Sequence, residues 1–278
     1  MTVLADHVAA APPRVVTSLA PEDRALWMRL AMAMAILSVA VHKMLDTYAN
    51  YDLERYHLVA ATLAVWVSVG LVMAERTSRI GVALFAGAIL LYVSEKWAGY
   101  HNHGWLSVWA IPVAALFGMR WWDEETYAWY LRMTLGVVML GACAQKLVAG
   151  TYLDGTFIAY LSLHGSETER LFGFLCGDAL VEGPCTAHRA LGVFLMGWQA
   201  VVGALLLAGV RSLWFLGIEI AFLMGAGLYA DEMNFQVLNI ALFCLAFRYG
   251  MPPWLAAVCV AFLALDVVKL SVILGHVL

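Results

Sequence analysis

The chain has 278 residues, of which 63% are hydrophobic and only 13% charged, with a net charge of −4 and a mean hydropathy of +0.81. Soluble domains carry roughly 25% charged residues, so this composition excludes one and points to a chain solvated largely by lipid. The small net charge and the lack of any basic run exclude a nucleic-acid partner.

Residues 1–23 contain Pro12, Pro13 and many small side chains but no charged start followed by an apolar core, so they read as a disordered cytoplasmic tail and not as a secretory signal. From there the apolar stretches follow quickly, at 25–45, 57–74, 80–98, 104–119, 127–149, 189–209, 212–230, 234–248 and 253–275. About 20 helical residues cross the roughly 30 Å of hydrocarbon, and the fourth and eighth stretches are short. The expected fold is therefore all-α. It is a polytopic transmembrane helix bundle of about nine spans, forming one domain over 24–278 with an outer loop at 150–188.

Arginine placement gives the bundle a direction. If nine spans alternate, Arg14, Arg24, Arg76, Arg79, Arg120, Arg211 and Arg248 fall on one side, Arg55 and Arg170 on the other, and Arg189 at a boundary. By the positive-inside rule the N-terminus is cytoplasmic and the C-terminus outside, which suits a plasma (inner) membrane protein. Four polar stretches then share the outer side: Asp46 to His57, Tyr100 to His103, Gly150 to His188, and Asp231 to Asn234. Cys176 and Cys185 lie in the third, where an oxidising surrounding favours a disulfide, two free thiols being the alternative.

Within the spans, the ionisable residues carry the functional signal. Lys146 closes an apolar stretch and is followed by Tyr152, Asp154 and Gly155. A cation there snorkels, pairs with an acid or serves a reaction. His42, Lys43 and Asp46 close the first span, and Glu95 and Lys96 the third, either as interfacial anchors or as members of a site. Glu219 sits about seven residues inside its span, where a carboxylate is neutral, paired or beside water. Asp266 and Lys269, three apart, either neutralise each other or supply a partner.

His101 and His103 resemble a metal pair, but no acid or cysteine stands at ligand spacing beside them, so no metal is expected. Gly225 and Gly227 suit close helix packing, and the run Met119 to Trp129 suits an interfacial aromatic belt. The run Glu167 to Leu175 is amphipathic and either lies on the membrane surface or caps a pocket. Phosphate loops, nucleophile elbows, HExxH and CxxC are absent.

The order NHGWL at 102–106, LR at 131–132 and QKLVAGTYLDG at 145–155 resembles the integral membrane domain of vitamin K-dependent γ-carboxylase and the wider HTTM family. That resemblance implies a lyase-type membrane enzyme working on a reduced quinone of the vitamin K or menaquinone type. Lys146 would be the base that takes a proton from the quinone ahead of oxygen addition. His103 and Asn102 would stand at the reaction centre, and Glu219 would relay protons where the carboxylase carries a histidine. Arg132, His101, Lys96 and Tyr152 would serve the cofactor, with tyrosine at 152 where tryptophan is usual. Glutamate carboxylation of a peptide or partner protein at the outer face is the associated activity. The chain ends without the large extracytoplasmic domain of the carboxylase, so shared fold does not by itself carry shared substrate. The alternative function is a non-catalytic membrane subunit, an assembly or cofactor-delivery partner whose polar groups tie helices together.

Overall fold

The computed structural model describes residues 20–49, 55–96, 102–164, 172–176, 183–230 and 232–275. Every regular element among them is helical. In chain order they are α1 (Pro21–Ala49), α2 (Tyr56–Met73), α3 (Ser78–Lys96), α4 (Asn102–Ala110), a 3-10 helix (Pro112–Asp123), α5 (Glu125–Ala149), α6 (Thr156–His164), α7 (Thr186–Leu207), α8 (Leu213–Ala230), α9 (Met233–Ala246) and α10 (Pro253–Gly275).

Six of these, α1, α2, α3, α5, α7 and α8, are long and apolar enough to cross a membrane. The expected tail lies mostly outside the described residues, but helix α1 already begins at Pro21. Proline suits the first helical turn, and Glu22 and Asp23 complement its positive dipole end.

The fourth apolar stretch differs from the straight span its hydropathy predicts. Helix α4 stops at Ala110, Pro112 cannot donate to a continuing α-helical ladder, and the chain goes on as a 3-10 helix. Direction is nevertheless maintained. Ser78 Oγ donates to Met119 O at 3.2 Å and Arg79 Nε to Ala115 O at 3.0 Å, so the broken segment returns to the end at which α3 began.

Polar contacts gather at two opposite ends of the bundle. One is organised on Glu125, and there Met251 N also donates to Trp27 O at 2.9 Å. The other holds Lys146 and the ends of α1 and α3, where Lys43 and Lys96 each lie 3.6 Å from Asp46 Oδ2. Helix α9 runs between the two and touches α1, α5, α8 and α10. All its residues from Gln236 to Ala246 are buried, so it is the axis around which the longer helices stand. Deep in the helix Asn239 is satisfied locally, its Nδ2 donating to Phe235 O and to Gln236 Oε1.

Helices α5 and α7 cross at glycines. A methyl on Gly136 would lie 2.8 Å from Leu207, and one on Gly203 would lie 3.0 Å from Gly136 O. Small residues at such a crossing let two membrane helices approach backbone to backbone. Of the pair noted in α8, Gly227 packs against Gln236 while Gly225 meets nothing within 4 Å.

Candidate functional site

The α5–α7 crossing sets what Lys146 can reach. Side chains lean toward the N-terminus of their own helix, and in an antiparallel pair those directions are opposed. Lys146 therefore leans back into the bundle while Gln199, four residues from Gly203, leans out to meet it, and Nζ donates to Gln199 Oε1 at 2.8 Å. The same ammonium lies 5.1 Å from the centre of the Tyr152 ring. Glu232, at the N-cap of α9, contributes an attractive field. Lys146 itself is half-buried, whereas Glu232 is exposed.

Tyr152 is held by the loop that follows α5. Gly155 has φ +84, a conformation L side chains rarely adopt, and a Cβ there would meet Arg189 N at 2.9 Å. Across from it, a Cβ on Gly192 would lie 2.0 Å from Tyr152 O. The loop thus lies flush on α7, and Asp154 Oδ1 accepts both the Thr156 N–H (2.8 Å) and its hydroxyl (2.7 Å) to start α6. These two bonds hold the Asp154 carboxyl below the usual range. Burial, with the Glu232 charge second, pushes the Tyr152 phenol up to about 12, so it stays a neutral ring face and donor.

Glu219 stands deeper, on α8, and is 1% exposed. Among the described residues its hydrogen-bond partner is Trp198, whose Nε1 donates to Oε2 at 2.8 Å. Trp198 and Gln199 are neighbours on α7, so one stretch of that helix serves both the acid and the amine.

A separate small crevice lies between α1, α4 and α9, lined by Ser38, His42, Lys43, Gly104, Asn234 and nearby apolar side chains. Asn234 Nδ2 is 3.4 Å from His42 Nδ1, and its N–H donates to Asp266 Oδ2 at 2.9 Å. Lys43 is 2% exposed and stacks 5.0 Å from the Tyr92 ring. The crevice as a whole has room for about one water-sized group, so a quinone ring does not enter it as it stands.

The remaining candidates separate cleanly. Asn102 and His103 begin α4, next to the crevice residue Gly104, but their side chains and all of His101 lie outside the described residues. Lys96 shares Asp46 with Lys43. Arg132 is fourteen residues from Lys146, about 21 Å along α5, and donates instead to Glu125 Oε1 (3.1 Å) and Ala246 O (2.7 Å).

Cys176 and Cys185 are joined by a disulfide, Cα atoms 5.9 Å apart. His188 lies within ligand distance of both sulfurs, but its Nδ1 accepts from Cys185 N at 3.1 Å and its Nε2 lies 3.3 Å from Ser162 Oγ. With the sulfurs bonded to each other and both ring nitrogens engaged, this group is a structural staple. Phe172, from the amphipathic run, is buried against the His188 ring at 4.3 Å, whereas Phe174 is 88% exposed.

Gln199, Trp198, Glu232 and Asn234 are the residues that motif reasoning does not single out. The available signals were an amide in the otherwise apolar run MGWQAVV and the outer polar stretch Asp231 to Asn234, which holds Glu232 and Asn234. Chemically, the arrangement offers an amine held by a neutral amide, an aromatic face and an acid at longer range. Close by in the chain, on the end of α5, the loop after it and the first half of α7, Val148, Leu153, Val193 and Phe194 are exposed and apolar. This donor set fits the hydroxyl of a lipid-soluble quinol approaching from the bilayer. The chain matches no protein-family model, no curated protein and no solved structure. Its likeness to the γ-carboxylase membrane core accordingly rests on the short motifs at 102–106, 131–132 and 145–155.

Proposed function

We propose that the chain is an integral membrane enzyme resembling the membrane core of the γ-carboxylase, in which Lys146 acts as base on a reduced, lipid-soluble quinone. The observation that carries this reading is the neutral partner of the amine: among the described residues, Lys146 Nζ is held by Gln199 Oε1 and not by a carboxylate. An amine locked in a close ion pair is committed to the ammonium, whereas one held by an amide can accept a proton and pass it on. Tyr152 and Gln199 fix where that nitrogen points, and Glu232 is the acid within its field. The quinone, when bound, supplies the reaction with oxygen. The chain supplies the proton acceptor, the apolar approach and the exclusion of water.

In this reading the bundle has nine crossings, counting the broken α4 segment and the short α9. Its arginine-rich Glu125 end is cytoplasmic, and its Lys146 end faces outward in the inner membrane. A peptide glutamate or a partner protein would meet the outer face.

Purified protein in detergent, given reduced menaquinone, oxygen, bicarbonate and a glutamate-containing peptide, should yield an oxygenated quinone product by mass analysis, and carboxylated peptide if that activity is shared. Lys146→Ala should lower turnover by at least about a hundredfold, the scale of a lost general base, while the protein still folds. Intact protein that leaves the quinone unchanged would defeat the proposal.

A second reading has its own observation. Glu219 is hydrogen-bonded to Trp198, Lys96 shares Asp46 with Lys43, and Arg132 is fastened to Glu125. Such pairing is what a non-catalytic subunit or cofactor-delivery partner would need to hold its helices. Under that reading Lys146→Ala changes stability or assembly and no turnover is found.

A further inference from the structure

The densest cluster of charge lies at the end of the bundle opposite Lys146 and has no part in the proposed reaction. Three arginines from three different parts of the chain meet one carboxylate. Arg132 donates to Glu125 Oε1 at 3.1 Å from within α5, Arg211 reaches the same oxygen at 2.5 Å from the α7–α8 link, and Arg248 donates to Oε2 at 2.7 Å from the α9–α10 link. Arg24, from α1, lies in the field of Arg248, Asp123 and Glu125. Four guanidiniums thus face two carboxylates, leaving an excess of positive charge.

The donors are in excess as well. A guanidinium has five N–H groups. Beyond the bonds to Glu125, Arg132 reaches Ala246 O and Arg248 reaches Asp123 O, yet the buried Nε atoms of both have no acceptor. Arg248 is also the one non-glycine among the described residues with positive φ, at 60°. Backbone held in that region is strained and persists where the surroundings enforce it. Here it turns the Arg248 side chain into the cluster.

Depth is marked by aromatic rings. Trp214, three residues after Arg211, is 82% exposed, and Trp254, six after Arg248, is 67% exposed. Exposed tryptophans at the ends of membrane-spanning helices sit at headgroup level. We propose that Arg211 and Arg248 bind the phosphate of an anionic lipid headgroup, Glu125 and the fully buried Arg132 fixing them from behind and Trp214 and Trp254 flanking the lipid's glycerol region. Forked guanidiniums are suited to phosphate oxygens, and surplus charge selects an anionic lipid over a zwitterionic one.

The test uses the full chain in detergent. Native mass spectrometry and thermal melts are recorded with phosphatidylglycerol, with phosphatidylcholine of the same acyl chains, and with inorganic phosphate. Phosphatidylglycerol should be retained at least about tenfold better than phosphatidylcholine and should raise the melting temperature. Arg211→Gln, at the most exposed arginine of the three, should remove most of that preference, and Arg55→Gln at the opposite end should leave it intact. Should Arg211→Gln not fold, Arg211→Lys, which keeps the charge but loses the fork, should weaken retention severalfold. Equal retention of the two lipids, or undiminished preference in a folded Arg211 variant, would overturn the proposal. Protection by inorganic phosphate with none from phosphatidylglycerol would assign the cluster to a free anion and overturn the lipid source.

Discussion

At the scale of single residues, the groups that look most alike in the sequence differ in what holds them. Lys146 and Glu219 are both ionisable groups in apolar helices, and both lean on neutral partners from α7. For Glu219 the partner is the Trp198 indole, whose ring also packs 5.3 Å from Phe222. Trp198→Phe keeps that packing but removes the N–H. An unsatisfied buried acceptor costs about 1–3 kcal/mol, so thermal unfolding in detergent should show a loss of that size. Adding Glu219→Leu should recover most of it, because an apolar pair of similar volume has nothing left to satisfy. Fully additive losses would mean that the two side chains act independently.

Glu232 gives a second handle, through pH. Burial of its carboxyl raises its pKa above the ordinary 4.5, and the Lys146 ammonium pulls it partly back. An acid raised in the folded state keeps its proton where the unfolded chain has lost it. Its contribution to stability is therefore greatest below pH 4.5 and declines as pH rises through the raised value. Since the residue retains an exposed flank, solvent screens the effect and the slope is shallow. Melts recorded across that window should show the decline in the natural chain and a flatter profile in Glu232→Gln.

At the scale of elements, placement of the candidate site depends on close backbone approaches that hydropathy does not register. The loop after α5 can lie on α7 only because Gly192 has no side chain, a Cβ there standing 2.0 Å from Tyr152 O. Gly192→Ala should force the loop outward and cost about 1–3 kcal/mol, the range for overpacking, with lost intensity in Tyr152 contacts to the Lys146 region by nuclear magnetic resonance or crosslinking. Gly197→Ala, on an open face of the same helix, should be silent. Long apolar runs made the six spanning helices legible, and Lys146 and Glu219 stood out because ionisable groups are scarce in such runs. Gln199 did not, because the register of α7 against α5 is fixed by Gly136 and Gly203, a tertiary fact, and Glu232 comes into the field of Lys146 from the start of α9, a different part of the chain. The break in the fourth stretch was foreshadowed by Pro112, yet hydropathy smoothed over it. Arg132 shares a helix with Lys146 but serves the opposite end, a separation that counting residues along α5 exposes and motif order alone conceals.

At the scale of the whole molecule, the two polar ends have different constructions: guanidiniums gathered on Glu125 and Glu75 at one, and lysines, imidazole, amides and acids at the other. Sidedness can be tested directly, since Cys143, Cys244 and Cys259 are all buried. In intact cells an impermeant thiol reagent should label Arg55→Cys, at the Lys146 end, before permeabilisation, and Arg76→Cys only after it. The reverse pattern would invert the proposed orientation.

Helix α9 has a consequence for biogenesis. At fourteen residues it spans about 21 Å, short of the hydrocarbon thickness, and it is enclosed by other helices along almost its whole length. A segment like this gains little from partitioning alone as it leaves the translocon. Its stable entry depends on a slot already formed by α1 and α5, made earlier in synthesis, and on α10 arriving to close it. Truncation before Pro253 should accordingly leave α9 poorly inserted even though its own sequence is untouched.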